Sequence, residues 1–215
     1  MKNKKLLILA LLALAIAALA CSFQMPQPAS TITAEPTAMT LSGWQKFTGG
    51  GAEIWLPENF TGGDLSKNLD TIVSQLRKLG PDFESIANMI EQNPDVFVMW
   101  VFDSEVGSTG FLTNVNVTRQ EVVSVVTVDA YLQAMEQQLP DAFTVTEKKK
   151  VRLGSYEAGR ALLEMEINGV SGSELMYVVK DQNILWTITF ATARSEFEQR
   201  LPVFEQSAAT FQVTP

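Results

Sequence analysis

The C-terminal half of the chain holds four consecutive strand-like runs that are separated by short turns. The runs cover residues 143–153, 156–167, 174–180 and 184–191, and the turns are Gly154-Ser155, Asn168-Gly169 and Asp181-Gln182-Asn183. Glycine, asparagine and aspartate supply the backbone conformations that tight hairpins require. Strands joined in this way pair antiparallel with their neighbours. This half of the sequence therefore predicts an antiparallel meander.

Helices are predicted on both sides of the meander in the sequence. Asp64 is the expected N-cap of a helix with an apolar stripe at Leu65, Leu69, Ile72, Val73 and Leu76. Asp82 is the expected cap of a second, shorter helix, and Thr127 that of a third. Ser195 and Glu198 form a possible capping box for a final helix, which Pro202 must kink or divide.

Further strands are predicted at residues 44–47, 52–56, 96–102 and 111–118. The third of these runs is continuously apolar, which is typical of a central strand that is covered on both faces. Helices, a strand meander and a closing helix predict an α+β fold with a mainly antiparallel sheet of about six to seven strands. Because both sheet faces carry apolar residues, we expect helices on each face and three layers.

The chain of 215 residues contains no histidine and a single cysteine. This composition excludes histidine triads, Cys–His nucleophile pairs, HExxH zinc sites and CxxC redox motifs. No cofactor and no metal is predicted, and we expect a protein that is not an enzyme.

The N-terminus has the pattern of an export signal. Lys2, Lys4 and Lys5 precede an unbroken apolar stretch over residues 6–20, which is shorter than a spanning helix requires. The stretch ends in Ala18-Leu19-Ala20-Cys21, which resembles the lipobox of bacterial lipoproteins. That resemblance implies cleavage after residue 20 and attachment of lipid to Cys21.

Two alternatives for the N-terminus stay open. An ordinary secreted protein would be cleaved after Ala20 and keep a free thiol, and an uncleaved anchor would keep residues 1–20. The single cysteine favours lipid attachment, because secreted domains that use disulfides have cysteines in pairs. Two or more acyl chains hold a protein stably on a bilayer.

Composition divides the remaining chain into a tether and a domain. Residues 21–42 are rich in serine, threonine, alanine and proline, which is typical of a flexible tether, although an ordered strand near residues 31–33 is an alternative. Residues 43–215 have the length of one domain.

Removal of residues 1–20 would leave 13 basic and 24 acidic residues, a formal charge of −11. An acidic body argues against binding to nucleic acid. We therefore expect membrane attachment through lipid at Cys21, outside the cytoplasm. The site would be the outer face of the cytoplasmic membrane, or the periplasm or outer membrane if the host has one.

Several short segments resemble the PsbP/Mog1-like superfamily, including bacterial lipoproteins related to DcrB. They are Trp44-Gln45-Lys46-Phe47, Ile54-Trp55-Leu56-Pro57 followed by Phe60, Asp129-Ala130-Tyr131-Leu132, Gly159, and Thr210-Phe211-Gln212-Val213. The resemblance implies a PsbP/Mog1-like three-layer sandwich. It implies no reaction, because members of the superfamily are mostly interaction proteins.

The resulting hypothesis is a non-enzymatic, lipid-anchored interaction or assembly domain with a protein partner in the cell envelope. The alternative is a small-molecule or lipid binding protein with an apolar pocket between sheet and helices.

Glu164 and Glu166 are the one carboxylate pair that suggests acid–base chemistry. Strand geometry places them on one face about 7 Å apart, a separation compatible with action on a glycosidic bond. Leu163, Met165 and Ile167 fill the opposite face. We therefore prefer a polar, solvent-facing surface for the pair.

Other polar motifs have a structural interpretation. Asp181-Gln182-Asn183 lacks the spacing of an EF-hand, so a hairpin turn is preferred to a calcium site. The run Glu147-Lys148-Lys149-Lys150 fits an edge strand protected by lysines, with a patch for an acidic partner as the alternative. Ser171 lacks the histidine and the strand-to-helix context of a hydrolase nucleophile.

All four tryptophans fall on strand-like segments, where core packing is the expected role. Trp44 and Trp55, next to the tether, are the candidates for an exposed role in an interface.

Overall fold

The computed structural model describes residues 42–107, 109–167 and 169–214. The strands are β1 (Trp44–Gly49), β2 (Ala52–Pro57), β3 (Phe60–Asp64), β4 (Met99–Asp103), β5 (Asn114–Glu121), β6 (Phe143–Leu153), β7 (Tyr156–Ile167), β8 (Val170–Asp181), β9 (Ile184–Ala193) and β10 (Gln212–Val213). The helices are α1 (Leu65–Lys78), α2 (Glu84–Gln92), α3 (Val128–Gln138) and α4 (Phe197–Ala209), with 3₁₀ turns at Pro81–Phe83 and Arg194–Glu196.

Two antiparallel sheets organise the fold. The larger has seven strands in the order β3-β4-β5-β9-β8-β7-β6, and the smaller has the order β1-β2-β10. Every strand pair in both sheets is antiparallel. The predicted α+β fold is therefore confirmed, and the predicted meander forms β6 to β9.

One face of the seven-stranded sheet packs against the small sheet and α4. Ile54 and Leu56 of β2 are fully buried there, together with Trp186 and Phe190 of β9. Phe204 of α4 stacks on Phe190, with ring centroids 5.1 Å apart. This is the largest apolar cluster among the described residues.

The opposite face is covered by the other helices. The apolar stripes of α1 and α2 pack on Trp100 and Phe102 of β4, and α3 packs on β7 and β8. Helices on both faces give the three layers that the sequence predicts. Gly159 allows α3 to approach β7, because a Cβ at this position would lie 2.4 Å from the Cδ1 atom of Leu132.

Some element boundaries differ from the predictions. The strand predicted at 96–102 begins only at Met99, because Val96 lies in the turn that follows α2 and donates its N–H to Asn93. The strand predicted at 111–118 is β5, three residues further on. β8 begins at Val170, because Ile167 of β7 pairs with Val170 across the hairpin.

β3 was not predicted from the sequence. This strand contains Gly62 and Gly63 and pairs with β4 along its whole length. A Cβ at Gly62 would lie 2.3 Å from the Trp100 carbonyl oxygen, so only glycine fits against β4 there. The need for glycine comes from a tertiary contact that local sequence does not show.

Two of the predicted helix caps are confirmed and two are wrong. The Asp64 side chain accepts a hydrogen bond from the Ser66 N–H, and the Thr127 side chain accepts one from the Ala130 N–H. At the two other helices a 3₁₀ turn precedes the first α-turn, so the predicted cap at Asp82 and the predicted capping box at Ser195 and Glu198 do not form.

Pro202 lies inside α4, which is a single helix.

An ion pair with a buried carboxylate connects α4 to the seven-stranded sheet. Asp103, at the end of β4, is 2% exposed, and its Oδ2 atom lies 2.9 Å from Nη1 of Arg200 on α4. Asn59 donates a second hydrogen bond to the same carboxylate over 2.8 Å.

The described chain begins at one end of the seven-stranded sheet. The Gly43 carbonyl accepts a hydrogen bond from the Glu58 N–H, and Phe60 pairs with Asp103 at the end of β4. We call this end the entry end. β5 runs from the entry end to Glu121, and eight residues of strand separate its two ends by about 23 Å. We call the other end the far end.

Candidate interaction surface

The one site residue predicted from the sequence, Cys21, lies outside the described residues, as do residues 1–20 and the tether up to residue 41. Lipid attachment and the division into signal, tether and domain therefore stay predictions.

Residues 122–126, which we call the valine loop, connect β5 to α3 at the far end of the sheet. Val123 is 50% exposed and Val125 is 80% exposed. No other large apolar side chain in the described part of the chain is exposed to this degree. Val122 and Val126 point the other way and pack against the apolar cluster under α3. Two valines of the loop are therefore exposed to solvent, and the other two anchor the loop by packing against this cluster.

Hydrogen bonds fix the conformation of the valine loop. Lys180, near the end of β8, donates from Nζ to the carbonyl oxygens of Ser124 over 2.7 Å and Val126 over 2.6 Å. The Val122 N–H donates to the Asn183 carbonyl, and the Val126 N–H donates to the Val123 carbonyl. Bonds from an ammonium group are about twice as strong as neutral ones.

A fixed apolar loop has a defined use in recognition. Groups that are ordered before binding lose little conformational entropy when they bind, so more of the contact energy appears as affinity. The two exposed valines can enter an apolar depression on another protein without rearrangement of this one. Among the described residues, this is the surface best suited to docking.

The valine loop was not predicted as a site, although four of its five residues are valine. An apolar run with neither strand nor helix periodicity, placed directly before a helix cap, was the available signal. The role of Lys180 was not visible, because it is separated from Ser124 by 56 positions.

The carboxylate pair predicted on one strand face has structural partners. Glu164 forms an ion pair with Arg194, and Glu166 accepts a hydrogen bond from the Ser171 hydroxyl. Both carboxylates lie on the side of β7 opposite the buried Met165. The structure therefore supports the polar-surface interpretation over an acid–base pair.

The lysine run lies on β6, which is an edge strand of the seven-stranded sheet, as predicted. Each lysine contacts an acidic residue of its own chain: Lys148 pairs with Glu136, Lys149 with Glu147 and Lys150 with Asp129. The hydrogen bond to Asp129 raises the pKa of Lys150. These pairings leave little free charge for an acidic partner.

Asp181-Gln182-Asn183 forms the hairpin between β8 and β9, as predicted. Within residues 42–107, 109–167 and 169–214, no three acidic, histidine or cysteine side chains are grouped so that they could hold a metal ion. No helix in those ranges is long and apolar enough to cross a bilayer.

Glu174 on β8 is an acidic residue without a cationic or hydrogen-bonding partner among the described residues. Its strand neighbours are Leu163 on β7 and Ala191 on β9, and no described residue donates a hydrogen bond to it or forms an ion pair with it. Glu174 is half-buried, and the loss of hydration without a compensating partner raises its pKa to about 7.

One cleft of the structure can be compared with the apolar pocket between sheet and helices that the alternative function requires, and it does not have that character. An open cleft of about 390 Å³ lies on the outer side of α1 and α2. Its lining residues are Asp70, Val73, Ser74, Arg77, Lys78 and Glu91. Arg77 bridges Glu84 and Glu91 at this cleft, which makes it charged rather than apolar.

The tryptophans divide into a buried and a half-buried pair. Trp100 and Trp186 are 5% and 1% exposed and their indole N–H groups have no partner among the described residues. Trp44 and Trp55 are half-buried, on the side of the small sheet that faces away from the core. Trp44 and Trp55 thus have the more exposed position suspected from the sequence, and their role in an interface stays a prediction.

Two solved structures share the architecture described above. The solution structure of cyanobacterial PsbP (CyanoP) from Synechocystis sp. PCC 6803 superposes with a TM-score of 0.53 at 13% identity and covers 84% of this chain and 98% of that chain. The crystal structure of LpqN of Mycobacterium tuberculosis gives a TM-score of 0.52 at 10% identity, with coverage of 76% and 83%. The fold is therefore PsbP-like, as the sequence resemblance implied.

Residues 1–50 match the family described as "Protein of unknown function (DUF2673)", which covers the N-terminal segment and β1 alone. No curated protein matches the chain.

Proposed function

We propose that this protein is a non-enzymatic interaction domain of the bacterial cell envelope, held outside the cytoplasm by lipid on Cys21, which docks to a protein partner through the valine loop. The observation that carries this proposal is the pair of exposed valines held in place by Lys180. A soluble domain gains nothing for its own stability by exposing apolar side chains in a fixed loop.

The envelope location is supported by the N-terminal sequence. A basic start, an apolar stretch and Ala18-Leu19-Ala20-Cys21 are the features of a lipoprotein signal. LpqN, which shares the fold, is described as involved in cell envelope biogenesis. A non-enzymatic role is supported by the missing histidine and by the structural partners of Glu164 and Glu166.

The docking role is tested by photo-crosslinking in intact cells. A photoreactive amino acid at position 125 should give one discrete adduct, and the serine substitution Val123→Ser in the same chain should reduce its yield at least about tenfold, since each buried valine contributes roughly 1.5–3 kcal/mol. The matched control places the same photoreactive group at exposed Gln199 of α4. The same adduct from both positions, or no adduct from position 125, would contradict docking through the loop.

A further inference from the structure

The outward side of the small sheet is unusually aromatic for a surface that faces solvent. Cross-strand register places Trp44 opposite Pro57 and Lys46 opposite Trp55. Their neighbours on the same strands, Ile54 among them, face the core and are buried. Trp44 and Trp55 are therefore diagonal neighbours on one surface, about 7–8 Å apart. We call this surface the tryptophan face.

The tryptophan face carries few charged side chains, and their charges cancel. Lys46 forms an ion pair with Glu53, with Nζ and Oε2 separated by 3.2 Å, so the pair adds no net charge. The indole N–H groups of Trp44 and Trp55 are not among the buried unpartnered ones. Each of these half-buried side chains combines a large apolar ring with an N–H donor. Tryptophan side chains in this situation prefer the headgroup region of a lipid bilayer.

The position of the tryptophan face in the sequence, close to Cys21, indicates that the bilayer is the surface it contacts. The described chain begins at Ser42, two residues before Trp44. A flexible tether of the length predicted for residues 21–42 would have a root-mean-square reach of roughly 25 Å. A lipid at Cys21 would then keep the start of β1 at about that average distance from the bilayer.

We infer that the tryptophan face rests on the headgroup region of the membrane that carries the lipid anchor, with Trp44 and Trp55 at the depth of the headgroups. This inference rests on the proposed lipid attachment at Cys21. The formal charge of the mature chain, −11, gives no electrostatic attraction to anionic lipid, so apolar and aromatic contact has to supply the binding. The valine loop lies at the opposite end of the seven-stranded sheet from Gly43, which leaves it free for a protein partner.

Fluorescence quenching tests the inference on the full protein purified from membranes. The protein is reconstituted into vesicles of phosphatidylethanolamine and phosphatidylglycerol, with and without bromine on the acyl chains near the headgroups. Brominated lipid should lower the fluorescence by at least about a quarter, since two of the four tryptophans lie on this face. The double variant Trp44→Phe/Trp55→Phe should show almost no quenching, because Trp100 and Trp186 are buried.

Intact mass of the same preparation separates this inference from the proposed function. Lipid on Cys21 without quenching would overturn the inference alone and leave the tryptophan face to a protein partner. A mass without lipid would overturn both. Equal quenching of the wild-type protein and the double variant would also overturn the inference, because the signal would then come from other tryptophans.

Discussion

Glu174 makes the folding stability of this protein depend on pH in an unusual direction. The carboxyl group has no hydrogen-bond or ionic partner among the described residues, and its partial loss of hydration between β7 and β9 raises its pKa from 4.5 to about 7. Between these two values the unfolded chain releases the proton while the folded protein retains it. The free energy of unfolding therefore falls as pH rises through this window and becomes constant above about pH 7.

The substitution Glu174→Gln removes the charge and keeps the shape of the side chain. Because one pKa unit corresponds to about 1.4 kcal/mol, the ionised folded state is disfavoured by on the order of 3 kcal/mol. Glu174→Gln should therefore be more stable than the wild type by about 3 kcal/mol at pH 8 and nearly equal to it at pH 4.

The assay is urea unfolding followed by tryptophan fluorescence across this pH range. Trp100 and Trp186 are buried, so their emission reports loss of the core. The exposed Glu198, replaced by glutamine, is the matched control and should show a much smaller change with pH. A stability difference between Glu174→Gln and wild type that is the same at both ends of the range would refute the reasoning.

Three further substitutions test individual contacts. Lys180→Met should lower the free energy of unfolding by about 1–2 kcal/mol, because it removes two charged hydrogen bonds, and should speed hydrogen exchange in the valine loop. Arg200→Met should cost about 2–3 kcal/mol in urea unfolding by leaving the buried Asp103 carboxylate without its cation. Gly159→Val should cost about 1–3 kcal/mol in the same assay by overpacking against Leu132 of α3.

For each of these substitutions, one result would contradict the structural role given to the contact. Unchanged hydrogen exchange in Lys180→Met, compared with the exposed-lysine control Lys149→Met, would mean that the loop is held by other contacts. Adding Asp103→Asn to Arg200→Met should recover part of the lost stability, and no recovery would argue against an ionic origin. Wild-type stability of Gly159→Val would show that α3 has room to move.

The meander was predictable because the signals that define it, turn residues and strand alternation, lie close together in the sequence. The ends of β6 and β7 agree with prediction to the residue, since Gly154-Ser155 and Asn168-Gly169 mark the turns and the strands alternate between them. The caps at Asp64 and Thr127 were predictable for the same reason. In each case the cap acts within three residues of itself.

Features that depend on distant contacts were not predictable. β3 exists because Gly62 fits against the backbone of Trp100, and the prediction assigned no strand there. The 3₁₀ turns at Pro81–Phe83 and Arg194–Glu196 displaced the expected caps of α2 and α4.

The candidate interaction surface was hidden for the same reason. Four valines in a run of five suggest burial, yet two of them are exposed, and the loop is held in part by Lys180 from a distant strand. The outward position of Trp44 and Trp55, in contrast, could be suspected from their place beside the predicted tether.

Metabolic labelling with radioactive palmitate tests the central claim most directly, because both the location and the tryptophan-face inference depend on lipid at Cys21. The wild-type protein should incorporate label, and the substitution Cys21→Ser should abolish it. Label that persists unchanged in Cys21→Ser, or a wild-type protein that carries none, would contradict the account.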